Sequence, residues 1–318
     1  MNRTETGKFI SHDGKSEIFY TTVIPCDMPP HAVLQICHGM TEHTGRYADF
    51  AEYLASHGVV VCMHDHLGHG KSSREDDYGF FGEDGGIENL IEDVETLRSV
   101  MRKKYPSLPY VIFGHSMGSF IVREYLSAHA DAVDGAVICG TSGGGSMIKA
   151  AETLARAVRR LRGPRHRSKF LERLMNGNFT KKFRGEGAYA WLTRDTEIQE
   201  KYARDPACTF TFTAAGYCDL FRMINEVNDD AWFSFFRPDL PVLLTAGEKD
   251  PVGENGEGVK KTAERLDDAG VCTVKLHLYP DCRHEILNEL NRDEVYADIL
   301  SFVDEVSDGV VKARTGRW

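Results

Sequence analysis

Apolar residues fall along this chain in two rhythms. Short, largely unbroken apolar runs at His31–Cys37 (HAVLQIC), Val59–Met63, Tyr110–Phe113, Gly135–Gly140 and Pro241–Ala246 read as strands, and Cys272–Tyr279 (CTVKLHLY) reads as a further one. Between them the period changes to that of helices. Phe50, Tyr53 and Leu54 mark one over about 47–57, ended by Gly58, and Leu90, Ile91, Val94, Leu97 and Met101 mark a longer one over 87–104. Further helices are expected after Ser116, from about 259 to 269, and from about 294 to 306, with a polar tail over 307–318. Strand, helix and strand joined by short links form parallel crossover units, so the pattern predicts an α/β fold with a mostly parallel sheet. An Asp13-Gly14 turn between Phe9–Ile10 and Ile18–Val23 predicts that the chain opens with an antiparallel hairpin.

The alternation stops at Gly143-Gly144-Gly145 and resumes near 237. The expected division is therefore a core of residues 1–142 and 237–318 with a helical insertion over 143–236. Charge sharpens that boundary. The chain has 38 Lys/Arg against 48 Asp/Glu, a net of −10, which argues against nucleic acid as a partner. Residues 149–184 nevertheless hold twelve Lys/Arg against two acids, a local net of +10, and leave −20 on the rest. Within this stretch Met147, Ala151, Leu154, Val158 and Leu161 recur at steps of four and three, the stripe of a basic amphipathic helix. No apolar run is long enough for a transmembrane helix, and the polar start MNRTETGKFISHDGK predicts no signal peptide. Eight cysteines without CxxC spacing predict neither a disulfide framework nor a zinc site, hence a reduced, cytoplasmic protein.

Candidate chemistry centres on Tyr110–Gly118, YVIFGHSMG: a strand, Gly-x-Ser-x-Gly, then a helix. In that context the serine is held on a strained turn, its hydroxyl projecting from the sheet edge beside the free N–H groups of the helix. A serine hydroxyl needs a base to take its proton. In an open α/β sheet the partners follow at strand ends, acid before histidine. Asp250 lies just past the 241–246 strand and His284 just past the 272–279 strand; Glu248 is the fallback acid. The oxyanion that would form needs two donors, expected from the backbone N–H groups of Met117 and of Met40 in His38-Gly39-Met40. The loop His64-Asp65-His66-Leu67-Gly68-His69 invites a metal reading. An H-x-H-x-D-H centre would place Asp where Gly68 stands, and no acidic cluster follows, so a strand-end loop without metal is expected.

HGMTEHTGRY (38–47), DHLGHGKS (65–72), GHSMGS (114–119), GEKDPV (247–252) and HEILNE (284–289) resemble the monoacylglycerol lipase and lysophospholipase branch of the α/β-hydrolases. The likeness covers about residues 7–142 and 237–306. It implies an α/β-hydrolase fold, a sheet of about eight mostly parallel strands with helices on both faces and an inserted helical cap. It also implies a serine esterase that needs no metal or organic cofactor and cleaves single-chain acyl esters through an acyl-enzyme. Nucleophile, acid, base and oxyanion donors fall on Ser116, Asp250, His284, Met40 and Met117. Relatives often carry small residues where this chain has Met40-Thr41, a departure that narrows the expected pocket.

Over the strand ends the insertion is expected to act as a lid. Its basic helix either rests on an anionic membrane or packs on the core with solvated arginines, and its aromatics between Phe179 and Phe236 either line an acyl tunnel or pack. The expected ligand is a small acyl ester or lipid. An aminopeptidase, an acyltransferase or a non-catalytic lipid-binding protein would use the same fold.

Overall fold

The computed structural model describes residues 2–176 and 179–315, with side chains to Ala313. Its strands are β1 (Arg3–Ile10), β2 (Glu17–Ile24), β3 (Ala32–Cys37), β4 (Val59–His64), β5 (Tyr110–His115), β6 (Gly135–Cys139), β7 (Val242–Gly247) and β8 (Val274–Tyr279). They form one sheet in the order β1-β2-β4-β3-β5-β6-β7-β8. The opening hairpin is antiparallel, β2 joins β4 antiparallel, and every other pairing is parallel. Every residue of β3 to β7 is buried, which explains why these strands read as unbroken apolar runs: helices cover both of their faces.

The covering helices are α1 (Ala48–Ser56), α2 (Gly86–Lys104) and α3 (Met117–His129). Between β6 and β7 follow α4 (Ser146–Arg162), α5 (Lys169–Asn176), α6 (Thr196–Arg204), α7 (Ala214–Glu226) and α8 (Asp230–Ser234), then α9 (Glu257–Asp268) and α10 (Arg292–Thr315). This is the α/β-hydrolase fold. Two apolar clusters, one on each side of the sheet, make its core.

The expected tail over 307–318 is not observed in its described part, because α10 continues to Thr315. Val306 packs against Gly135, Ser307 donates to the His31 carbonyl at 3.1 Å, and Val310 joins the core, so burial overrides the poor helix propensity of Gly309. Residues 316–318 lie outside the described residues.

The stripe expected on α4 splits. Ala151 is buried and Val158 partly so, alongside Ile148 and Ala155, and these line the face that meets α7. Met147, Leu154 and Leu161, seven residues apart, are exposed instead.

A single buried guanidinium on α3 ties the loop before α4 to the turn between α7 and α8. Arg123 of α3 donates to the Thr141 hydroxyl at 3.2 Å, to the Ser142 and Val227 carbonyls and to Asn228 Oδ1 at 3.3 Å. Burial pulls its pKa down to about 9, and the rings of Trp232 and Phe233 flank its charge.

Candidate active site

Ser116 sits at the junction of β5 and α3 with φ 53° and ψ −119°, a backbone conformation that L-residues avoid. The flanking glycines, Gly114 and Gly118, do not make the turn through left-handed backbone, since neither has positive φ. A Cβ on Gly114 would overlap the Gly118 carbonyl oxygen, and one on Gly118 would overlap that of Cys37. They are glycine because strand, helix and neighbouring loop meet without room for a side chain. The bend itself is borne by the serine.

Three residues that the sequence singled out meet there, from elements up to 168 positions apart. Ser116 Oγ lies 2.8 Å from His284 Nε2, and His284 Nδ1 lies 3.0 Å from both oxygens of Asp250. The carboxylate is completely buried and also accepts from the Val252 N–H at 2.8 Å. With its Nδ1 proton held by that carboxylate, the ring leaves Nε2 free to accept from the serine. Glu248, the fallback acid, is exposed.

His284 is also clamped through its backbone. Its N–H donates to the Trp191 carbonyl at 3.4 Å, and its own carbonyl accepts from His115 Nε2 at 3.1 Å. The Trp191 ring lies 5.3 Å from the imidazole.

The loop after β3 lies against the nucleophile: a Cβ on Gly39 would be 3.1 Å from Ser116 Cβ. Its carbonyl accepts from His38 Nδ1 at 2.8 Å, so the trans peptide aims the Met40 N–H the opposite way. Met117 is the first residue of α3, where the helix itself offers its N–H no partner. Thr41 follows with φ 54°, a β-branched residue in the left-handed region.

Behind this loop lies a charged network that sequence reading missed. Arg46 makes a two-pronged pair with Glu285 at 2.6 and 2.7 Å and reaches Glu42 at 3.3 Å. Glu42 accepts from the Tyr47 hydroxyl at 2.5 Å and the Gly39 N–H at 3.2 Å, and lies 3.4 Å from His115. Burial alone would push the Glu42 carboxyl up. His115 and Arg46 outweigh it and hold the group well below its ordinary range. Burial likewise opposes the charge on His115, and Glu42 overcomes it, so the His115 pKa is raised. The signal for this network was present in HGMTEHTGRY and HEILNE, but nothing in the order of residues says that Arg46 and Glu285, 239 positions apart, touch.

His64, His66 and His69 pack with His38 as a buried cluster beneath the same loop, with His64 Nε2 and His66 Nδ1 3.1 Å apart. Burial, followed by the repulsion of neighbouring imidazoles, lowers their pKa values, that of His64 to about 3, so they are neutral. His43, Asp205 and Cys208 bring ligand atoms within 4.8 Å of one another. His43 Nδ1 accepts from the Gly45 N–H, so its ring proton sits on Nε2 and is donated to Asp205 at 2.9 Å. A metal would need that nitrogen bare, so the donor set fits an ion poorly.

Above Ser116 opens a cavity of about 420 Å³. Its walls are Phe120 from α3, Ile148 and Ala151 from α4, and Leu220, Phe221 and Ile224 from α7, with Tyr202, Phe210 and Trp191 nearer the loops. Such a lining suits an apolar chain.

The sequence matches the family described as "Serine aminopeptidase, S33" over residues 28–291. The chain belongs to that family. A monoacylglycerol lipase of Mycolicibacterium smegmatis is 26% identical over 91% of this chain and 94% of its own length. Human monoglyceride lipase is 36% identical, but over 96 residues, 29% of each chain. Among solved structures, a thermostable carboxyl esterase from Bacillus coagulans superposes with a TM-score of 0.90 at 30% identity, covering 96% of this chain and 99% of that one. A soluble variant of the Saccharomyces cerevisiae monoglyceride lipase, 19% identical with a TM-score of 0.76 over 95% and 94%, shares the fold.

Proposed function

We propose that this S33-family chain is a serine carboxylic-ester hydrolase acting on single-chain acyl esters of the monoacylglycerol or lysophospholipid kind. One observation carries the reading: the Ser116–His284–Asp250 relay, at 2.8 and 3.0 Å, opens on an apolar cavity of about 420 Å³. Of the four glutamates that line this cavity, Glu42 and Glu285 are committed to Arg46, Tyr47 and His115.

His284 takes the Ser116 proton as Oγ attacks the ester carbonyl. The π electrons move onto the oxygen, which the Met40 and Met117 N–H groups receive. Collapse breaks the C–O bond, and the alcohol leaves with the proton from His284. Water, deprotonated by the same imidazole, then frees the fatty acid and restores Ser116. Residues 143–236 serve as the lid over this centre, with residues 1–142 and 237–318 as the catalytic core.

The exposed apolar residues Met147, Leu154 and Leu161 of α4 and Phe170 of α5, on helices that also expose Arg156, Arg160 and Arg173, support a lid that rests on an anionic membrane surface. No helix of the described residues is long and apolar enough to cross a membrane. The working location is then the cytoplasm, at the membrane periphery.

Intact-mass spectrometry after exposure to a mixed lipid extract tests the assignment, since an acyl adduct on Ser116 identifies nucleophile and acyl group together. Ser116→Ala is expected to remove the adduct and lower turnover by up to about 10⁶. A Ser116→Ala protein that hydrolyses acyl esters like the parent sinks the reading.

A further inference from the structure

Thr41 occupies a position whose backbone asks for glycine. Its φ of 54° places a β-branched side chain in the left-handed region, a conformation that persists only when surroundings impose it. The residue is 8% exposed, and the surroundings are specific. Its hydroxyl donates to the carbonyl of Met40 at 2.7 Å, which leaves the oxygen to accept from the Tyr202 hydroxyl, also at 2.7 Å. Its N–H points to His69 Nε2 at 3.4 Å.

Tyr202 belongs to α6, within the α4–α8 segment, whereas Thr41 belongs to the loop that carries the Met40 N–H. Two further contacts join the same pieces. The Arg46 guanidinium lies 4.7 Å over the Tyr202 ring, and His43 donates to Asp205 at 2.9 Å. The phenol is 6% exposed, and burial raises its pKa well above the ordinary value, so it stays a neutral donor.

We propose that Tyr202 is a positioning residue for the oxyanion loop: its hydroxyl holds Thr41 in the left-handed conformation and so ties the aim of the Met40 N–H to a docked lid. This rests on the proposed role of Met40 above. The peptide following Met40 is set by two hydroxyls in series, Thr41 on its carbonyl and Tyr202 on Thr41. Without the second, the strained residue relaxes and turns the neighbouring N–H away from the position of the oxyanion. A donor misaimed in this way weakens the transition state and leaves ground-state binding intact. Glycine at position 41 has no such strain to be held against.

The test is a cycle of Tyr202→Phe, Thr41→Gly and the double variant in the full chain, with kcat and KM measured on p-nitrophenyl butyrate, whose short acyl group needs little of the cavity. Tyr202→Phe is expected to lower kcat about tenfold with KM within twofold. In the Thr41→Gly background the same change is expected to alter kcat by less than twofold, because the loss acts through the Thr41 contact. Two outcomes overturn the proposal: Tyr202→Phe keeping more than half of the parental kcat, or losing the same factor in both backgrounds. A Ser116→Ala control separates the levels, since hydrolysis surviving there defeats the functional reading and not the positioning role alone.

Discussion

Replacing Arg46 by methionine removes the cation shared by two buried carboxylates. The side chains of Arg46, Glu285 and Glu42 are 11%, 2% and 5% exposed, so water cannot take over the lost interaction. Breaking a buried pair by removing one partner costs about 3–5 kcal/mol, because a charge is left desolvated and unmatched. Unfolding entropy of about 2.1 cal/mol/K per residue over 318 residues gives roughly 0.67 kcal/mol/K, so the melting temperature should fall by about 4–8 °C at pH 8. The sign of the pH dependence follows from the same geometry. In the parent, His115 and Arg46 outweigh burial and keep Glu42 below its ordinary range. Without Arg46, burial at Glu42 is opposed by His115 and the Tyr47 hydroxyl alone, so its depressed pKa moves back up toward the ordinary value. A depressed carboxyl contributes stability above its unfolded pKa, and that contribution is lost as pH falls through the folded pKa. The deficit is the difference between the two contributions, so calorimetry should find it full at pH 8 and smaller at pH 4. Adding Glu285→Gln, which removes the second buried charge, should recover part of it. A deficit below about 2 °C, or one equal at both pH values, would refute the claim that this network is a desolvated ion cluster.

Asp250→Asn turns an amide toward His284 Nδ1 and favours the tautomer with its proton on Nε2, which can no longer accept from Ser116; kcat should fall about 10⁴-fold with the fold retained. A variant keeping more than a tenth of parental kcat would remove Asp250 from its role. Changing Leu154, Leu161 and Phe170 together to serine deletes exposed apolar surface outside the cavity, so sedimentation with vesicles rich in anionic lipid should weaken by about tenfold or more. Hydrolysis of p-nitrophenyl butyrate in solution should stay the same. Equal vesicle binding by parent and variant would end the membrane reading, and added salt should weaken the parent's binding as the arginines are screened.

The core strands, the crossover helices and the order Ser116, Asp250, His284 were legible in the chain itself. Burial on both faces writes strands as unbroken apolar runs, and the elbow needs small residues at fixed offsets from its serine. Three features were decided by tertiary packing. Val306, Ser307 and Val310 find the core and carry α10 through Gly309 to Thr315, where composition reads as a tail. The stripe on α4 divides because the fold turns Ile148, Ala151 and Ala155 inward and leaves Met147, Leu154 and Leu161 to solvent; a helical period fixes spacing but not which part of a broad apolar arc is covered. The Arg46–Glu285 pair and the Thr41–Tyr202 contact join residues 239 and 161 positions apart, and no local rule reaches that far. Local chemistry thus specified which atoms could react, while long-range packing decided what holds them in line and which surface faces outward.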